Sequence, residues 1–279
     1  MTRRVVLTAD DLGRDDATTE VIGALLAEGH VTATTLITVS PVSERAVNLV
    51  RSLGVVPHLH VTLSGERGLP RWRPLGEAPS LVDRDGDLTD DPMALAGRAT
   101  TVDIRHEMDA QLTWMRERGL PPQAVDSHAG VLYGLYGRAG GSVLADALRW
   151  CARQGLAFRL PRDPVPWWGG PLPPPLQAAH EQAVALADSL GVSLPATVVT
   201  NRRAADDLGG YEALRDHLVG SLVGLPEGTS ELFLHPSREN AVRGPDGLAR
   251  TWEARLLRDP MWHRTLQHEG IDVVAQWWP

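Results

Sequence analysis

Short runs of apolar and β-branched residues alternate with longer segments of helical periodicity along most of the chain. This alternation is typical of βα units that build a parallel sheet. Strands are predicted at 4–9, 34–40, 58–63, 124–127, 156–160, 196–200, 231–235 and 271–275. Helices are predicted at 20–28, 42–53, 101–118, 141–154, 176–190, 211–223 and 248–268. Eight strands and seven helices favour an α/β, TIM-barrel-like (β/α) barrel, complete or irregular, over an open doubly wound sheet.

Two segments rich in proline and glycine interrupt the alternation, at 65–93 and 161–175. Each is long for a connection, and loops of this length serve either as lids and binding loops or as insertions. Periodic structure resumes in the same style on both sides, so neither segment is interpreted as a domain linker. The prediction is a single barrel domain, 1–279, with two long loops.

Charge and cysteine content narrow the function classes. The formal net charge is −8, from 35 acids and 27 bases, without a long basic run, so a small-molecule substrate is expected rather than nucleic acid. The single cysteine, Cys151, cannot form an internal disulfide, which fits a reducing cytoplasm. No stretch reaches the roughly 18 apolar residues of a membrane span, so no membrane partner is expected.

The letters ADDLG occur twice, in LTADDLG and again in AADDLGG. The first copy follows an apolar strand, so Asp10 and Asp11 are predicted at the carboxyl end of strand 1, where the active sites of parallel barrels gather. The second copy leads into a segment of helical spacing, so Asp206 and Asp207 are predicted near a helix N-terminus, which favours carboxylates. The repeat is therefore interpreted as coincidence.

Further polar residues stand at the ends of other predicted strands. His58 and His60 are two apart in an extended run and so share a face. Asp126 and His128 end the fourth strand, and His235 ends the seventh. A lone histidine at a strand end is more often structural than a ligand, but several at one edge indicate a site.

These residue types permit metal chemistry. One carboxylate and two imidazoles hold a divalent ion and leave positions open for water and substrate. Such an ion lowers the pKa of its water and polarises a carbonyl group, a second carboxylate takes the proton of the water, and an acid protonates the leaving group. One divalent metal ion is therefore the expected cofactor, with zinc first and Mg, Mn, Co or Ni as alternatives.

Six stretches, in order along nearly the whole chain, resemble the YdjC-like (ChbG/HpnK) carbohydrate deacetylase family. They are TADDLG, GHVTATTLIT, LHVTLSG, VDSH, FRLPR and ELFLHP. The resemblance implies a TIM-barrel-like or irregular barrel that removes acetyl groups from N-acetylated sugars with a divalent metal. It also implies a metal set of Asp11, His60 and His128. Asp10 is then the general base, His235 the acid or oxyanion-side partner, and Arg159 a pocket residue that holds substrate.

Three positions depart from the pattern of the family. Many members read Asp-Ser-His-x-His where this chain has DSHAG, so Gly130 replaces a second histidine. Thr19 stands where Asn is frequent, and His58 where Gly is frequent. His58 faces the same way as His60 and is a candidate to replace the missing imidazole. Together with Asp126, it is predicted to contact substrate.

The tryptophans have two alternative interpretations. Trp72, Trp167 and Trp168 lie in the two long loops, where indoles either stack on sugar rings or anchor their own loops to the barrel. Trp167 and Trp168 are therefore included among the substrate-binding candidates. Trp277 and Trp278 follow the last strand and are predicted to pack or to form an oligomer contact, which leaves a homo-oligomer open.

The leading hypothesis is a metal-dependent hydrolase that removes an acetyl or small acyl group from an N-acetylated amino sugar or oligosaccharide. Two alternatives stay open. A glycosidase would use Asp10 and Asp126 as its carboxylate pair and would need no metal. A carbohydrate-binding descendant of a deacetylase would bind sugar without releasing acetate.

Overall fold

The computed structural model describes residues 2–135, 140–239, 241–242 and 245–278. The strands in these ranges are β1 (Arg3–Leu12), β2 (Ala33–Leu36), β3 (His58–Val61), β4 (Ala124–Ser127), β5 (Ala157–Phe158), β6 (Val198–Val199), β7 (Gly228–Leu234) and β8 (Asp272–Val274). The α-helices are α1 (Asp16–Ala27), α2 (Ser43–Leu53), α3 (Pro92–Ala96), α4 (Thr101–Glu117), α5 (Gly140–Gln154), α6 (Val165–Trp168), α7 (Pro174–Leu190), α8 (Ala205–Leu208), α9 (Tyr211–Val223), α10 (Pro245–Leu256) and α11 (Pro260–His268). A 3₁₀ helix covers His128–Tyr133.

The strands form one parallel sheet in the order β5-β4-β3-β2-β1-β7-β6. β8 pairs with the amino-terminal half of β1, through Arg4, Val5 and Val6, and β2 pairs with its carboxyl half. β1 is thus the central strand, flanked by β2 and β7 where it ends. The carboxyl ends of β1, β3, β4 and β7 lie along one edge of the sheet, where a substrate site is expected.

The sheet curls without closing into a complete barrel. Among the described residues no ladder joins the edge strands β5 and β6. The gap is spanned by irregular main-chain hydrogen bonds from Arg162 N to Pro195 O (3.0 Å) and from Asp163 N to Ala196 O (2.9 Å). An α/β fold with a curled parallel sheet surrounded by helices is therefore confirmed, and the predicted barrel is of the irregular, open kind.

All eight predicted strands are present in the described chain; the ends of β4 agree with the sequence prediction, and those of the other seven strands differ from it. The prediction of one helix over 248–268 is wrong, because the chain breaks between α10 and α11. Pro260 begins α11 and Asp259 caps it, its carboxylate accepting the N–H of Met261 at 2.8 Å. Proline lacks the N–H that a continuous helix would need.

The two long loops contain more structure than their composition indicates. Within 65–93, Trp72, Leu81 and Leu88 are fully buried. The buried carboxylate of Glu107 on α4 accepts the main-chain N–H of Leu75 and of Gly76, which fastens this loop to α4. The second loop contains α6 and the start of α7. Trp72 therefore anchors its own loop, which is the second of the two interpretations given for the loop tryptophans, and not a stacking surface for sugar rings.

The core lies inside the curled sheet and between the sheet and its helices. Val5, Leu7, Leu59 and Val125 on the central strands are at most 2% exposed and pack with apolar side chains of the surrounding helices. Burial of this apolar surface is the main term that stabilises the fold. No helix in the described parts of the chain is long and apolar enough to cross a membrane.

Candidate active site

A cavity of about 490 Å³ opens at the carboxyl edge of the sheet. Most of the side chains predicted for the site line it. They are Asp10, Asp11, His60, His128, Arg159, Trp167 and His235. Asp126 lies directly beneath this set, within hydrogen-bond distance of His60 and Arg159. Residues from β1, β3, β7 and the segments after β4 and β5 therefore meet in one pocket.

A bulge at the end of β1 lets Asp10 and Asp11 both face this pocket. Successive side chains of a regular strand point to opposite faces. Between the pairs Ala9–Thr34 and Leu12–Leu36, β1 has one residue more than β2, and Asp11 has a positive φ of 77°. The N–H of Asp11 donates to Thr35 Oγ1 at 3.2 Å, which holds the bulge in place. Such bulges re-aim side chains next to functional sites.

Three buried atoms of the predicted metal set converge. His60 Nε2 lies 3.2 Å from Asp11 Oδ1, and His128 Nδ1 lies 3.5 Å from the same oxygen. The two imidazole nitrogens are 3.3 Å apart. Ligand atoms at about 2.0–2.1 Å from a tetrahedral zinc ion lie about 3.3–3.4 Å from one another. The spacing of this cluster thus fits a single divalent ion.

Asp11 Oδ1 supplies a second test of fit. It is buried and has no directed hydrogen bond within the described chain. Its partner oxygen Oδ2 accepts a hydrogen bond from Arg250 Nη1 at 2.7 Å, so Oδ1 is the one left facing the imidazoles. Burial alone would raise the pKa of Asp11, but Arg250 and the two histidines hold it well below its usual value. The residue is an anion with one free oxygen, as a metal ligand requires.

Asp126 fixes the orientation of His60. His60 Nδ1 lies 2.9 Å from both oxygens of Asp126, so Asp126 accepts the Nδ1 proton and Nε2 is the nitrogen that faces Asp11. Burial alone would lower the pKa of His60, but Asp126 and Asp11 outweigh it and raise the pKa to about 10. The surroundings of this ring therefore favour a positive charge, carried either by a proton or by a metal ion.

Arg159 is enclosed by three carboxylates. It donates to Asp10 through Nη1 (2.7 Å) and Nη2 (3.0 Å), to Asp126 through Nη1, and to Glu231 through Nε (2.8 Å) and Nη2 (2.6 Å). Its face covers the Phe233 ring at 4.6 Å. Arg159 is 3% exposed and all its N–H donors are engaged, so it holds these three carboxylates in place. It has no free donor for the substrate contact that the sequence predicts.

A second group of side chains that could hold a cation consists of Asp10, His60 and Asp126. The guanidinium of Arg159 already lies between these two aspartates, and His60 turns its Nδ1 toward them. The cluster of Asp11, His60 and His128 has no such cation within it. It is therefore the better candidate for the metal.

His235 directly follows β7, and its side chain lines the pocket. Its main-chain N–H donates to the carboxylate of Glu253 at 2.6 Å, which fixes the chain where the strand ends. Burial, together with the nearby Arg250, lowers the pKa of His235 to about 3. Its imidazole is neutral at neutral pH and can donate one hydrogen bond into the pocket.

Besides Asp126, two more of the predicted substrate residues do not line the pocket. His58 shares a face with His60, as predicted, but lies one layer deeper, with its ring 5.1 Å from Trp277 and 5.4 Å from Trp278. Burial and Arg159 lower its pKa to about 3, so it is a neutral core residue that cannot replace an imidazole in the site. Trp168 lies outside the pocket, in a neighbouring apolar cavity.

Gly130 has a specific consequence for the pocket wall. Its φ of +69° follows the positive φ of Ala129, and a Cβ at this position would come within 2.9 Å of Leu135 Cδ1. Leu135 and Tyr133 line the same wall, and Trp167 packs on Tyr133 at 5.5 Å. Where the resemblance leads one to expect a second histidine, this pocket is bounded by apolar groups.

Four residues in or beside the pocket were not predicted from the sequence. They are Glu66, Glu231, Arg250 and Glu253. Glu231 carried a signal, since it begins the predicted strand 231–235 and an acid in a buried strand needs a partner. Arg250 and Glu66 carried none, because each stands in a polar segment whose position in space depends on the fold.

The fold and the site together define an α/β protein with a curled parallel sheet and an Asp-His-His set at its carboxyl edge. The model of the YdjC-like protein family matches residues 4–268, and the chain belongs to that family. The resemblance found in the six sequence stretches is thereby confirmed.

Individual relatives agree with this assignment. A carbohydrate deacetylase from Geobacillus stearothermophilus is 34% identical over 131 residues, which cover 46% of this chain and 50% of that protein. The human carbohydrate deacetylase is 27% identical over an alignment covering 98% of this chain and 90% of that protein. An Enterococcus faecalis structure, described as a cellobiose-phosphate cleavage protein, shares the fold with a TM-score of 0.77 at 21% identity, covering 98% of this chain and 97% of that chain.

Proposed function

We propose that this protein is a metal-dependent hydrolase that removes an acetyl group from an N-acetylated amino sugar or oligosaccharide. The observation that carries the proposal is the cluster of Asp11 Oδ1, His60 Nε2 and His128 Nδ1, spaced at 3.2–3.5 Å, at the base of an open pocket. Support for the carbohydrate and acetyl parts comes from relatives named carbohydrate deacetylase.

Asp11, His60 and His128 would hold the ion, with zinc the first expectation for one carboxylate and two imidazoles. A divalent ion bound there would polarise the amide carbonyl and lower the pKa of water in the pocket. The chain's own part is to orient the ligands toward the ion. Asp126 orients His60 by holding its Nδ1, and Arg250 keeps Asp11 ionised.

Asp10 is the proposed general base. Both of its oxygens accept hydrogen bonds from Arg159, which fixes the carboxylate beside the ligand cluster. Burial raises its pKa from the usual value, although Arg159 opposes the shift, so Asp10 is a better proton acceptor than an exposed aspartate. We propose that Asp10 takes the proton of the attacking water and passes it to the departing nitrogen.

His235 is proposed to act on the oxyanion side. With a pKa lowered to about 3, its imidazole is neutral and cannot supply a proton as a ready acid. A neutral ring that lines the pocket can donate a hydrogen bond to the carbonyl oxygen as negative charge develops on it. Of the two roles that the resemblance implies for this residue, the oxyanion-side role is the one that its surroundings support.

The pocket wall offers a platform for a sugar ring. Trp167 lines it, and its indole packs on Tyr133 at 5.5 Å and lies 5.8 Å from the guanidinium of Arg202. Indole faces stack on the C–H faces of sugars, and a volume of about 490 Å³ suits one or two rings. We therefore keep Trp167 as a proposed substrate contact and omit Trp168 and His58.

The lone Cys151 is free and buried, which supports a reducing compartment such as the cytoplasm.

The glycosidase alternative has less support. Asp126 is 1% exposed, is directed at His60 and Arg159, and does not line the pocket. It therefore offers no second carboxylate to a glycosidic bond. The carbohydrate-binding alternative differs from the proposed hydrolase only in that no acetate is released. An assay of acetate release therefore decides between them.

Metal removal tests the proposal. The protein is stripped with a chelator, metal loss is verified by elemental analysis, and acetate release is followed on a panel of N-acetylated mono- and oligosaccharides. Because the ion supplies several kcal/mol of transition-state stabilisation, we expect a loss of about 10³-fold or more, reversed by adding Zn²⁺ or Co²⁺. Unchanged turnover by metal-free protein would disprove the mechanism. New reducing ends without acetate would indicate a glycosidase, and sugar binding without either product would indicate a binding protein.

A further inference from the structure

The two imidazoles of the ligand cluster have similar surroundings on their outward sides. His60 has the carboxylate of Asp126 at its Nδ1, and His128 has a carboxylate oxygen, Glu66 Oε1, 3.4 Å from its Nε2. Glu66 belongs to the long loop 65–93 and lines the pocket. We propose that Glu66 is a positioning residue, which holds His128 in the tautomer and orientation needed for metal binding. The inference rests on the metal site of the proposed function.

The argument begins with the proton on His128. Its Nδ1 is the nitrogen that faces Asp11 and His60, at 3.5 Å and 3.3 Å. For Nδ1 to offer a lone pair to a cation, the ring must carry its proton on Nε2. A carboxylate beside Nε2 favours that tautomer. Glu66 occupies that place.

Arg14 fixes Glu66 from the other side. Arg14 Nε lies 2.9 Å from Glu66 Oε1 and 2.8 Å from Oε2, and its Nη2 also contacts the carboxylate. Arg14 lies three residues beyond Asp11, its main-chain N–H donates to Asp11 O at 3.0 Å, and its side chain is 5% exposed. A chain of contacts thus runs from the bulge that carries Asp11, through Arg14 and Glu66, to His128. It couples the loop after β1, the loop after β3 and the segment after β4.

A purely structural role for Glu66 makes a different prediction. If the carboxylate only neutralised Arg14 and fastened the loop, its loss would lower the thermal stability of metal-free protein and leave metal affinity nearly unchanged. If it positions His128, metal affinity falls even where the metal-free fold is intact. Metal affinity is therefore the decisive measurement, and it needs no knowledge of the substrate.

The experiment is a Co²⁺ titration of metal-free protein, followed by the visible absorption of the bound ion, with the thermal midpoint measured in parallel. Glu66→Gln removes the charge and keeps the shape, and Glu66→Asp keeps the charge for Arg14 but withdraws it from His128. The matched control is Glu77→Gln, an exposed glutamate of the same loop. We expect both Glu66 variants to raise the Kd about 10- to 100-fold, and the control to change it by less than about twofold.

Glu66 variants that fold and bind Co²⁺ within about twofold of the wild type would overturn the inference. If Glu66→Gln fails to fold, Glu66→Asp decides the question by the same criterion. A wild-type protein without a Co²⁺ signal would overturn both this inference and the metal site. A normal Co²⁺ pattern with no acetate release would leave the positioning role standing and disprove only the deacetylase activity.

Discussion

The same five residues, ADDLG, occur at 9–13 and at 205–209 and form two different structures. In the first copy they end a buried strand, and both aspartates are 1% exposed. In the second copy they form the one-turn helix α8, and Asp206 and Asp207 face the solvent in its first turn, as predicted. Both copies end at a glycine with positive φ. The pentapeptide itself therefore permits either conformation.

Partners that are distant in sequence account for the difference. Burying two adjacent carboxylates is costly unless each gains a charged partner and hydrogen bonds. Asp10 has Arg159, and Asp11 has Arg250 and two imidazoles. Asp206 and Asp207 are exposed on a helix of one turn, so water solvates both carboxylates and neither needs a charged partner. The contrast shows that a motif of this length gains its chemistry from the strand and the cations around it.

Replacing the second aspartate of each copy breaks the comparison most strongly. Asp11→Ala removes a proposed metal ligand, so we expect metal affinity to collapse and acetate release to fall about 10⁴-fold, equivalent to about 5.5 kcal/mol. Asp207→Ala removes an exposed carboxylate with the same local sequence and should leave both quantities within about twofold. Metal content and initial rates measure the outcome. Comparable losses in the two variants would show that the position of Asp11 has no special role.

The sequence predicted the convergence of these residues better than it predicted their geometry. Strand ends in a parallel sheet share an edge, so the meeting of Asp11, His60, His128 and His235 follows from the βα alternation alone. The different structures of the two ADDLG copies could also be predicted from the sequence, because an apolar strand leads directly into the first copy only.

The remaining geometry depends on contacts that the sequence does not encode locally. The bulge that turns Asp10 and Asp11 to the same side depends on the register between β1 and β2. Arg250 lies 239 positions from Asp11. His58 shares a face with His60, but its ring packs against Trp277 and Trp278. Only these contacts in the folded chain show that His58 lies below the pocket. Period and spacing assign a residue to a face, but its depth and partners come from tertiary packing.

Replacing the first aspartate of each copy sharpens the comparison by separating chemistry from metal binding. Asp10→Asn keeps the size of the side chain and removes the proton acceptor. We expect acetate release to fall about 10²- to 10³-fold, in the lower part of the range of about 10²- to 10⁴-fold for general acid–base catalysis, with metal affinity changed by less than about tenfold. Asp206→Asn is the matched control. If Asp10→Asn instead empties the site of metal, Asp10 belongs to the ligand set and the proposed assignment of roles is wrong.

The smallest expected effect concerns the glycines that end the two copies. Gly13 and Gly209 have φ values of +84° and +76°, so an alanine at either position is strained by about 1–2 kcal/mol. At Gly13 a Cβ would also lie 2.9 Å from the main-chain oxygen of Ile37, whereas at Gly209 nothing lies within 4 Å.

We therefore expect Gly13→Ala to lower the free energy of unfolding by about 2–4 kcal/mol and Gly209→Ala by about 1 kcal/mol, measured by urea denaturation of metal-free protein. The difference between the two variants isolates the close approach of β1 to the chain after β2, because the backbone strain is common to both. Equal losses would mean that the Ile37 carbonyl moves aside at little cost. The bulge that presents Asp10 and Asp11 would then be held by the carboxylate partners rather than by packing of the turn.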